Sequence, residues 1–134
     1  PVMIDMMAGQ VALSSVTASS GQPYVLSGRA RALGLMALTR IPTMSNVPTV
    51  AEQGYAGFEA GSWSGIAVRT GTPMAVAQRL QNETQRLMQS TALRNAIEQQ
   101  GNTALGGSAA EFERYVVSET RKWKQVIAQA QIRF

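Results

Sequence analysis

The sequence has 134 residues, of which 45% are hydrophobic and only 15% are charged, and its net charge is +4. This length fits one ordinary domain or two incomplete lobes, and the hydrophobic content is enough for a core. The chain contains no cysteine and no histidine, which excludes disulfides and thiolate metal sites and removes the commonest general base. We therefore expect neither a metal site nor a cofactor.

The basic charge does not predict a nucleic-acid interface. The one dense basic cluster is Arg121-Lys122-Trp123-Lys124, which falls inside a helical pattern where the charges face water. No apolar run reaches the 18 or more residues that a membrane-spanning helix needs. A mildly basic surface could favour anionic ligands, but it selects none of them.

The first third of the chain mixes helix and strand patterns. Val2–Met7 is typical of the last turns of an amphipathic helix, which Gly9 ends. Strands are predicted over Val11–Val16 and Arg29–Leu38. A short helix over Pro23–Leu26, closed by a Ser-Gly pair, lies between them.

The middle of the chain contains a capping signal. Thr49 and Glu52 fit a capping box, in which each side chain bonds the other residue's backbone amide, and Gly54 can close the single turn that follows. Tyr55–Trp63 is rich in glycine and aromatic residues and is typical of a crossover segment. Ser64–Val68 then predicts another strand.

Three helices are expected in the second half. Thr72 is a good N-cap and Pro73 a good first residue for a helix whose apolar residues mark a buried stripe. A second helix begins near Thr91 and stops at Gly101. The stripe of the first helix consists of Val76, Leu80, Leu87 and Met88, with Glu83 at the same spacing.

The last helix also begins with a capping box, formed by Ser108 and Glu111 after a short edge strand over Thr103–Leu105. Strands that alternate with helices favour an α/β fold. One stripe of this helix contains Phe112, Tyr115, Val116, Trp123, Val126 and Ile127, with Glu119 as a charged interruption.

An ordered set of motifs now carries a family resemblance. The segment VPTVAEQGY, followed by GFEAGSW, is its most specific part, and SGRARAL, WSGI, GTP and GGS stand in the same order around it. This order, spread over nearly the whole chain, resembles the receptors of the tripartite tricarboxylate transporter family, often called Bug proteins.

The resemblance implies an α/β, periplasmic-binding-protein type II-like two-lobed fold, of which this chain would be only the C-terminal portion. Residues 1–57 would end the second, ligand-binding lobe, and residues 58–134 would return to the first lobe, with the crossover near residues 55–63. It further implies a periplasmic receptor that captures a small organic carboxylate and passes it to membrane permease subunits. Such a receptor is not an enzyme. A ligand-sensing module of the same fold, which signals to a protein partner, is the alternative.

Neutral hydrogen-bond donors at a strand end are the best candidates for holding a carboxylate. In open α/β sheets ligands lie beyond the carboxyl ends of strands, where short hydroxyls and helix amides can donate to an anion. The alternative is that these hydroxyls only cap a helix and satisfy turn amides. The candidate ligand-binding residues are Ser14, Ser15, Thr17, Ser19 and Ser20.

One position departs from the family pattern. Relatives usually carry an aspartate shortly after this strand, whereas this chain has Val16 and Thr17 there. The absence of that carboxylate predicts either a different ligand specificity or a ligand without the amine or hydroxyl that an aspartate would bind. Two other polar or aromatic residues are weaker candidates, because Trp63 is expected in the core and Arg40 in a solvent-exposed loop.

The resemblance also predicts behaviour in solution. A lobe that lacks some of its strands exposes sheet edges and apolar helix faces. We therefore expect the chain on its own to self-associate or to require a partner chain that supplies the missing half.

Overall fold

The computed structural model describes residues 2–133, which fall into two compact units. Unit 1 comprises the residues up to Ser64 together with Thr91–Ala104. Unit 2 comprises Gly65–Ser90 together with the residues from Leu105 onward. The chain thus passes between the units three times. The expected lobes, residues 1–57 and 58–134 with a crossover near 55–63, stay a prediction.

Helices form where the local signals predict them, with two shifted starts. The helix expected at Pro23 begins already at Ala18, and the helix expected at Pro73 begins at Met74 because the Thr72 hydroxyl donates to the Arg69 carbonyl instead of capping. Unit 1 contains α1 (Val2–Met7), α2 (Ala18–Leu26), a 3-10 helix (Pro42–Met44) and α4 (Thr91–Gln99); unit 2 contains α3 (Met74–Met88) and α5 (Ala109–Gln129).

Glycine ends three of these helices in the same way. Gly9, Gly28 and Gly101 have positive φ angles of 74°, 72° and 73°, and the amide of each glycine and the amide that follows it donate to carbonyls in the last turn of the helix. At Gly101, for example, the glycine amide donates to Glu98 and the next amide to Ile97. This is the Schellman motif, in which a left-handed residue satisfies carbonyls that the helix leaves open. All three predicted stops are confirmed.

The predicted strands do not form ladders among residues 2–133. Val11–Val16, Ser64–Val68 and Thr103–Leu105 are irregular, and within Arg29–Leu38 only Leu35 makes a β-bridge, a parallel one to Thr49. The prediction of four strands is therefore wrong for this chain by itself. The physical reason is that a strand is completed by a neighbour's hydrogen bonds, whereas a helix bonds within itself.

The single bridge is fixed by the first capping box, which is confirmed. The Thr49 amide donates to Glu52 Oε2 at 2.6 Å, and the Glu52 amide donates to Thr49 Oγ1 at 3.0 Å. Beside it, the Leu35 amide donates to the Pro48 carbonyl and the Val50 amide to the Leu35 carbonyl, both at 2.9 Å. Thr49 is only 1% exposed, so the bridge and the box share one buried residue. Hydrogen-bonded turns, and no helix, follow the box.

Glu52 also receives the side chain of Arg40. The guanidinium Nε of Arg40 lies 2.9 Å from Glu52 Oε2, and its Nη1 donates to the Ser45 carbonyl at 3.0 Å. Arg40 first, and then the Thr49 amide, lower the pKa of the Glu52 carboxyl below its ordinary value. Arg40 is therefore half-exposed, but it is paired with a carboxylate of its own unit and is not available to bind an external anion.

In unit 2, α5 begins with the second predicted capping box. The Ser108 amide donates to Glu111 Oε2 at 2.8 Å and the Glu111 amide to Ser108 Oγ at 3.3 Å. The Ser108 amide first, and then the Ser108 hydroxyl, which donates to Glu111 Oε2 at 2.7 Å, lower the pKa of the Glu111 carboxyl. The next amide, that of Ala109, donates to Gln81 Oε1 of α3 at 3.0 Å, so α3 supplies a partner that the first turn of α5 lacks.

The charged interruption in the α5 stripe has a local explanation. Glu119 is only 9% exposed, and its carboxylate accepts from Trp123 Nε1 at 2.9 Å and pairs with Lys122. Lys122 first, and Trp123 after it, hold the pKa of Glu119 below its ordinary value. A carboxylate on an apolar stripe is thus satisfied by neighbours within one helical turn.

Buried apolar surface is scarce, and all of it lies in unit 1. In the described part of the chain the buried apolar residues are Met3, Met44, Val47 and Ala104, whereas unit 2 has none. Most of the expected stripe of α3 is exposed, with Val76, Leu80 and Leu87 at 45 to 51%, whereas Met88 is half-buried. The prediction that this stripe is buried is therefore wrong for Val76, Leu80 and Leu87. Helices with one apolar face and no core still need a surface to cover that face.

No helix in residues 2–133 is both long enough and apolar enough to cross a membrane.

We predict that Gly101→Ala destabilises the protein more than Gly9→Ala. Both substitutions place alanine at a φ near +73°, at a cost of about 1–2 kcal/mol. Only at Gly101 does the added Cβ meet other atoms, Ala18 Cβ at 2.8 Å and Gln22 Oε1 at 2.9 Å, because nothing lies within 4 Å at Gly9. Urea unfolding of both variants measures the difference. Equal midpoints would show that α4 does not pack on α2 there.

We predict that Glu52→Gln makes the protein less stable at neutral pH and less sensitive to acid. The folded state lowers the pKa of Glu52, so its contribution is present above the ordinary glutamate value and is lost as the pH falls through the lowered one. Thermal unfolding between pH 7 and pH 3 measures this effect, with the exposed Glu59→Gln as the control. Parallel pH profiles for the wild type and Glu52→Gln would contradict it.

Candidate functional site

Three of the five predicted binding residues meet at the first turn of α2. Thr17 is the N-cap residue, and its hydroxyl donates to Ser20 Oγ at 2.9 Å and lies 3.1 Å from Ser19 Oγ. The Thr17 side chain makes no capping hydrogen bond to the helix. The alternative, in which these hydroxyls only cap the helix, is therefore wrong for Thr17.

The direction of these bonds leaves donors at the start of the helix. A hydroxyl carries one proton, so once Thr17 donates to Ser20, the Ser19 hydroxyl is the donor to Thr17 and Ser20 keeps its own proton. The amides of Ser20 and Gly21 both donate to the Thr17 carbonyl, each at 3.0 Å. The amide of Ala18, like that of Ser19, precedes the first intrahelical bond. Neutral donors and the positive end of a helix together suit an anion.

Ser14 and Ser15 lie on the irregular segment before Thr17. Ser14 is half-buried and Ser15 is exposed. The structure joins neither of them to the Thr17, Ser19 and Ser20 hydroxyls. Their assignment to a binding site stays a prediction.

The surroundings of the first turn of α2 are electrically neutral along the chain. Between Asp5 and Arg29 the sequence has no aspartate, glutamate, lysine or arginine. Val16, which stands where the resemblance leads us to expect an aspartate, is half-buried, and its methyl group would lie 3.0 Å from a Cβ placed on Gly21. The residues next to this turn in the sequence can therefore offer an anion hydroxyl and amide dipoles but no formal positive charge.

The sequence pattern did not single out Gln22, which ties α2 to two other elements of unit 1. Its Nε2 donates to the Gln99 carbonyl at the end of α4 at 3.2 Å, and its Oε1 accepts from Thr43 Oγ1 of the 3-10 helix at 2.9 Å. No local signal could identify these bonds, because Gln99 is 77 positions away in the chain.

Other candidate features do not add to this turn. Two surface depressions, of about 420 and 460 Å³, are lined by residues of α3 and of the end of α5, and none of the five predicted residues lines them. Trp63 is 42% exposed, so its expected place in the core is wrong for this chain. Within residues 2–133, no group of three acidic side chains is arranged to hold a metal ion.

Comparison with curated sequences gives relatives along nearly the whole chain. A UPF0065 protein from the tcbD-tcbE intergenic region of Pseudomonas sp. (strain P51) is 33% identical over 96% of this chain. Protein BugT of Bordetella pertussis is 27% identical over 95% of it. In both cases the chain spans only 39% of the relative's length.

Two solved structures share the fold. The R. palustris protein Rpa4515, solved with adipate, superposes with a TM-score of 0.88 at 28% identity. The periplasmic binding protein BugD superposes with a TM-score of 0.84, also at 28% identity. Each match covers 98% of this chain but only 44 or 45% of the solved chain. The chain thus has part of the fold of a periplasmic binding protein, which confirms the expected fold class.

The family assignment rests on a match that is wider than any single motif. The sequence model of the tripartite tricarboxylate transporter family receptors matches residues 1–132, which include the first turn of α2 and both capping boxes. This chain belongs to the tripartite tricarboxylate transporter receptor family.

Proposed function

We propose that this chain is part of an extracytoplasmic, periplasmic receptor that captures a small organic carboxylate and delivers it to membrane permease subunits. The observation that carries the proposal is the cluster of Thr17, Ser19 and Ser20 hydroxyls at the start of α2, in a stretch without ionised side chains. Hydroxyls and helix amides hold an anion by hydrogen bonds and leave it chemically unchanged.

The solved relative with adipate supports the ligand class. Adipate is a dicarboxylate, and its host superposes on nearly all of this chain. Carrying the ligand class over is part of the proposal, because the chain covers less than half of that host.

The exposed apolar face of α3 supports the proposal that further receptor residues cover this chain. The relatives are more than twice as long as the match, and α3 presents Val76, Leu80 and Leu87 without a core beneath them. We propose that strands and helices of the remaining receptor pack on this face and pair with the irregular segment at Ser64–Val68. The same packing would cover the apolar stripe of α3.

A sensing module of the same fold is the second candidate, because ligand capture alone does not distinguish transport from signalling. Pull-down with permease subunits separates the two. An enzymatic role is not proposed, because the donors at α2 include no general base and no ionised nucleophile.

We predict that the full-length receptor binds adipate or another simple carboxylate, and that Ser20→Ala weakens this binding about 10- to 100-fold, the range for a hydrogen bond to a charged group. Isothermal titration with a panel from acetate to adipate measures the affinity. Ser27→Ala is the matched control, because Ser27 is a serine at the opposite end of α2 whose hydroxyl donates to the Tyr24 carbonyl. No binding across the panel would reject carboxylate capture, and equal affinities of both variants would reject this turn as the site.

We predict that the 134-residue chain expressed alone self-associates. Its α3 stripe is largely exposed, and its predicted strands form no ladder among residues 2–133, so a second copy can cover the apolar face. Light scattering with size-exclusion chromatography measures the mass. A single compact monomer near 14.3 kDa would contradict the prediction.

A further inference from the structure

Gln22 is the one residue of α2 whose side chain joins the helix to two separate elements. Its amide nitrogen and its amide oxygen are both used, one toward α4 and one toward the 3-10 helix. The side chain is half-buried, so water competes only partly for these bonds. An amide whose donor and acceptor are both satisfied has little freedom to turn.

The same side of α2 is also held by close packing. A Cβ on Gly101, which follows α4, would lie 2.8 Å from Ala18 Cβ and 2.9 Å from Gln22 Oε1. Gly101 therefore sits directly against the first residue of α2 and against the Gln22 amide. The end of α4 thus contacts α2 at the turn that contains the hydroxyl cluster and again one turn later.

The interior of α2 has a weak point that makes an external support useful. Pro23 lies inside the helix and has no amide hydrogen, so the Ser19 carbonyl receives no helical hydrogen bond from it. The first turn is therefore linked to the rest of α2 by fewer backbone bonds than in an ordinary helix. Gln22 lies immediately before Pro23, the residue that cannot donate this hydrogen bond.

We propose that Gln22 is a positioning residue, which holds the first turn of α2 in the geometry that binds the ligand. The proposal rests on the proposed function, because it assigns to Gln22 the support of the Thr17, Ser19 and Ser20 donors. Gln22 does not contact the ligand itself. Donors that bind an anion must be held within about 0.5 Å of their productive positions. Hydrogen bonds from residues that do not touch the ligand hold the donors in place.

The test removes the hydrogen bonds of the Gln22 side chain by changing either Gln22 itself or its partner Thr43. Gln22→Met keeps the length of the side chain and loses both hydrogen bonds, and Thr43→Val loses only the hydroxyl that donates to Gln22. We expect Gln22→Met to weaken carboxylate binding by the full-length receptor about 2- to 10-fold, the range for one or two ordinary hydrogen bonds. The two changes should be non-additive in a double-mutant cycle, because they break a shared bond.

A second measurement does not require a ligand. Hydrogen exchange at the Ser20 and Gly21 amides, which bond the Thr17 carbonyl, reports directly on the first turn. We expect exchange there to accelerate in Gln22→Met while exchange in α5 is unchanged. Gln125→Met, an exposed glutamine of α5, is the matched control and should alter neither affinity nor exchange in α2.

The outcomes separate this proposal from the proposed function. A wild-type receptor that binds no carboxylate rejects the function, and the exchange data then decide alone whether Gln22 holds the turn. Unchanged exchange at Ser20 and Gly21 in Gln22→Met overturns the positioning role, and so does unchanged affinity in a receptor that binds. Faster exchange throughout the protein also overturns it, because Gln22 would then support only global stability.

Discussion

The convergence of hydrogen bonds on the Glu52 carboxylate organises the part of unit 1 around the only β-bridge among residues 2–133. The Thr49 amide and the Arg40 guanidinium both donate to this carboxylate, and Thr49 itself forms the bridge to Leu35. With only four buried apolar residues in the described chain, directed polar bonds define the local geometry more than a hydrophobic core does. The same motif, VPTVAEQGY, is the most specific part of the family resemblance, so this motif coincides with a structural hydrogen-bond network and not with the hydroxyls that we propose as ligand donors.

Features that depend on neighbours in the chain could be predicted from the sequence, and they are confirmed. Capping boxes at Thr49 and Ser108 and helix stops at Gly9 and Gly101 need only residues within one or two turns. Strands could not be predicted reliably in this chain, because a β-ladder requires a second segment, and within residues 2–133 only Leu35 finds one. The burial of α3 failed for the same reason, since an apolar stripe indicates which face is covered but not what covers it.

The candidate site also has one part that depends on residues close in the chain and another that depends on distant residues. The hydroxyls of Thr17, Ser19 and Ser20 stand together in the sequence and at the start of one helix, so their proximity followed from spacing. Gln22 and Gly101, which support that helix, gave no usable signal, because their contacts join residues that are far apart in the chain. The geometry of a binding turn can therefore depend on residues that no local motif reveals.

The path of the chain has a topological consequence. Thr91–Ala104 belongs to unit 1 but is inserted between two stretches of unit 2, so three covalent connections join the units. A single backbone cleavage at one connection leaves the other two intact, and no contiguous piece of the sequence contains either unit alone. The two units therefore cannot be separated by truncation, and any shortened version that keeps α2 but ends before residue 91 also discards the end of α4, which contacts α2.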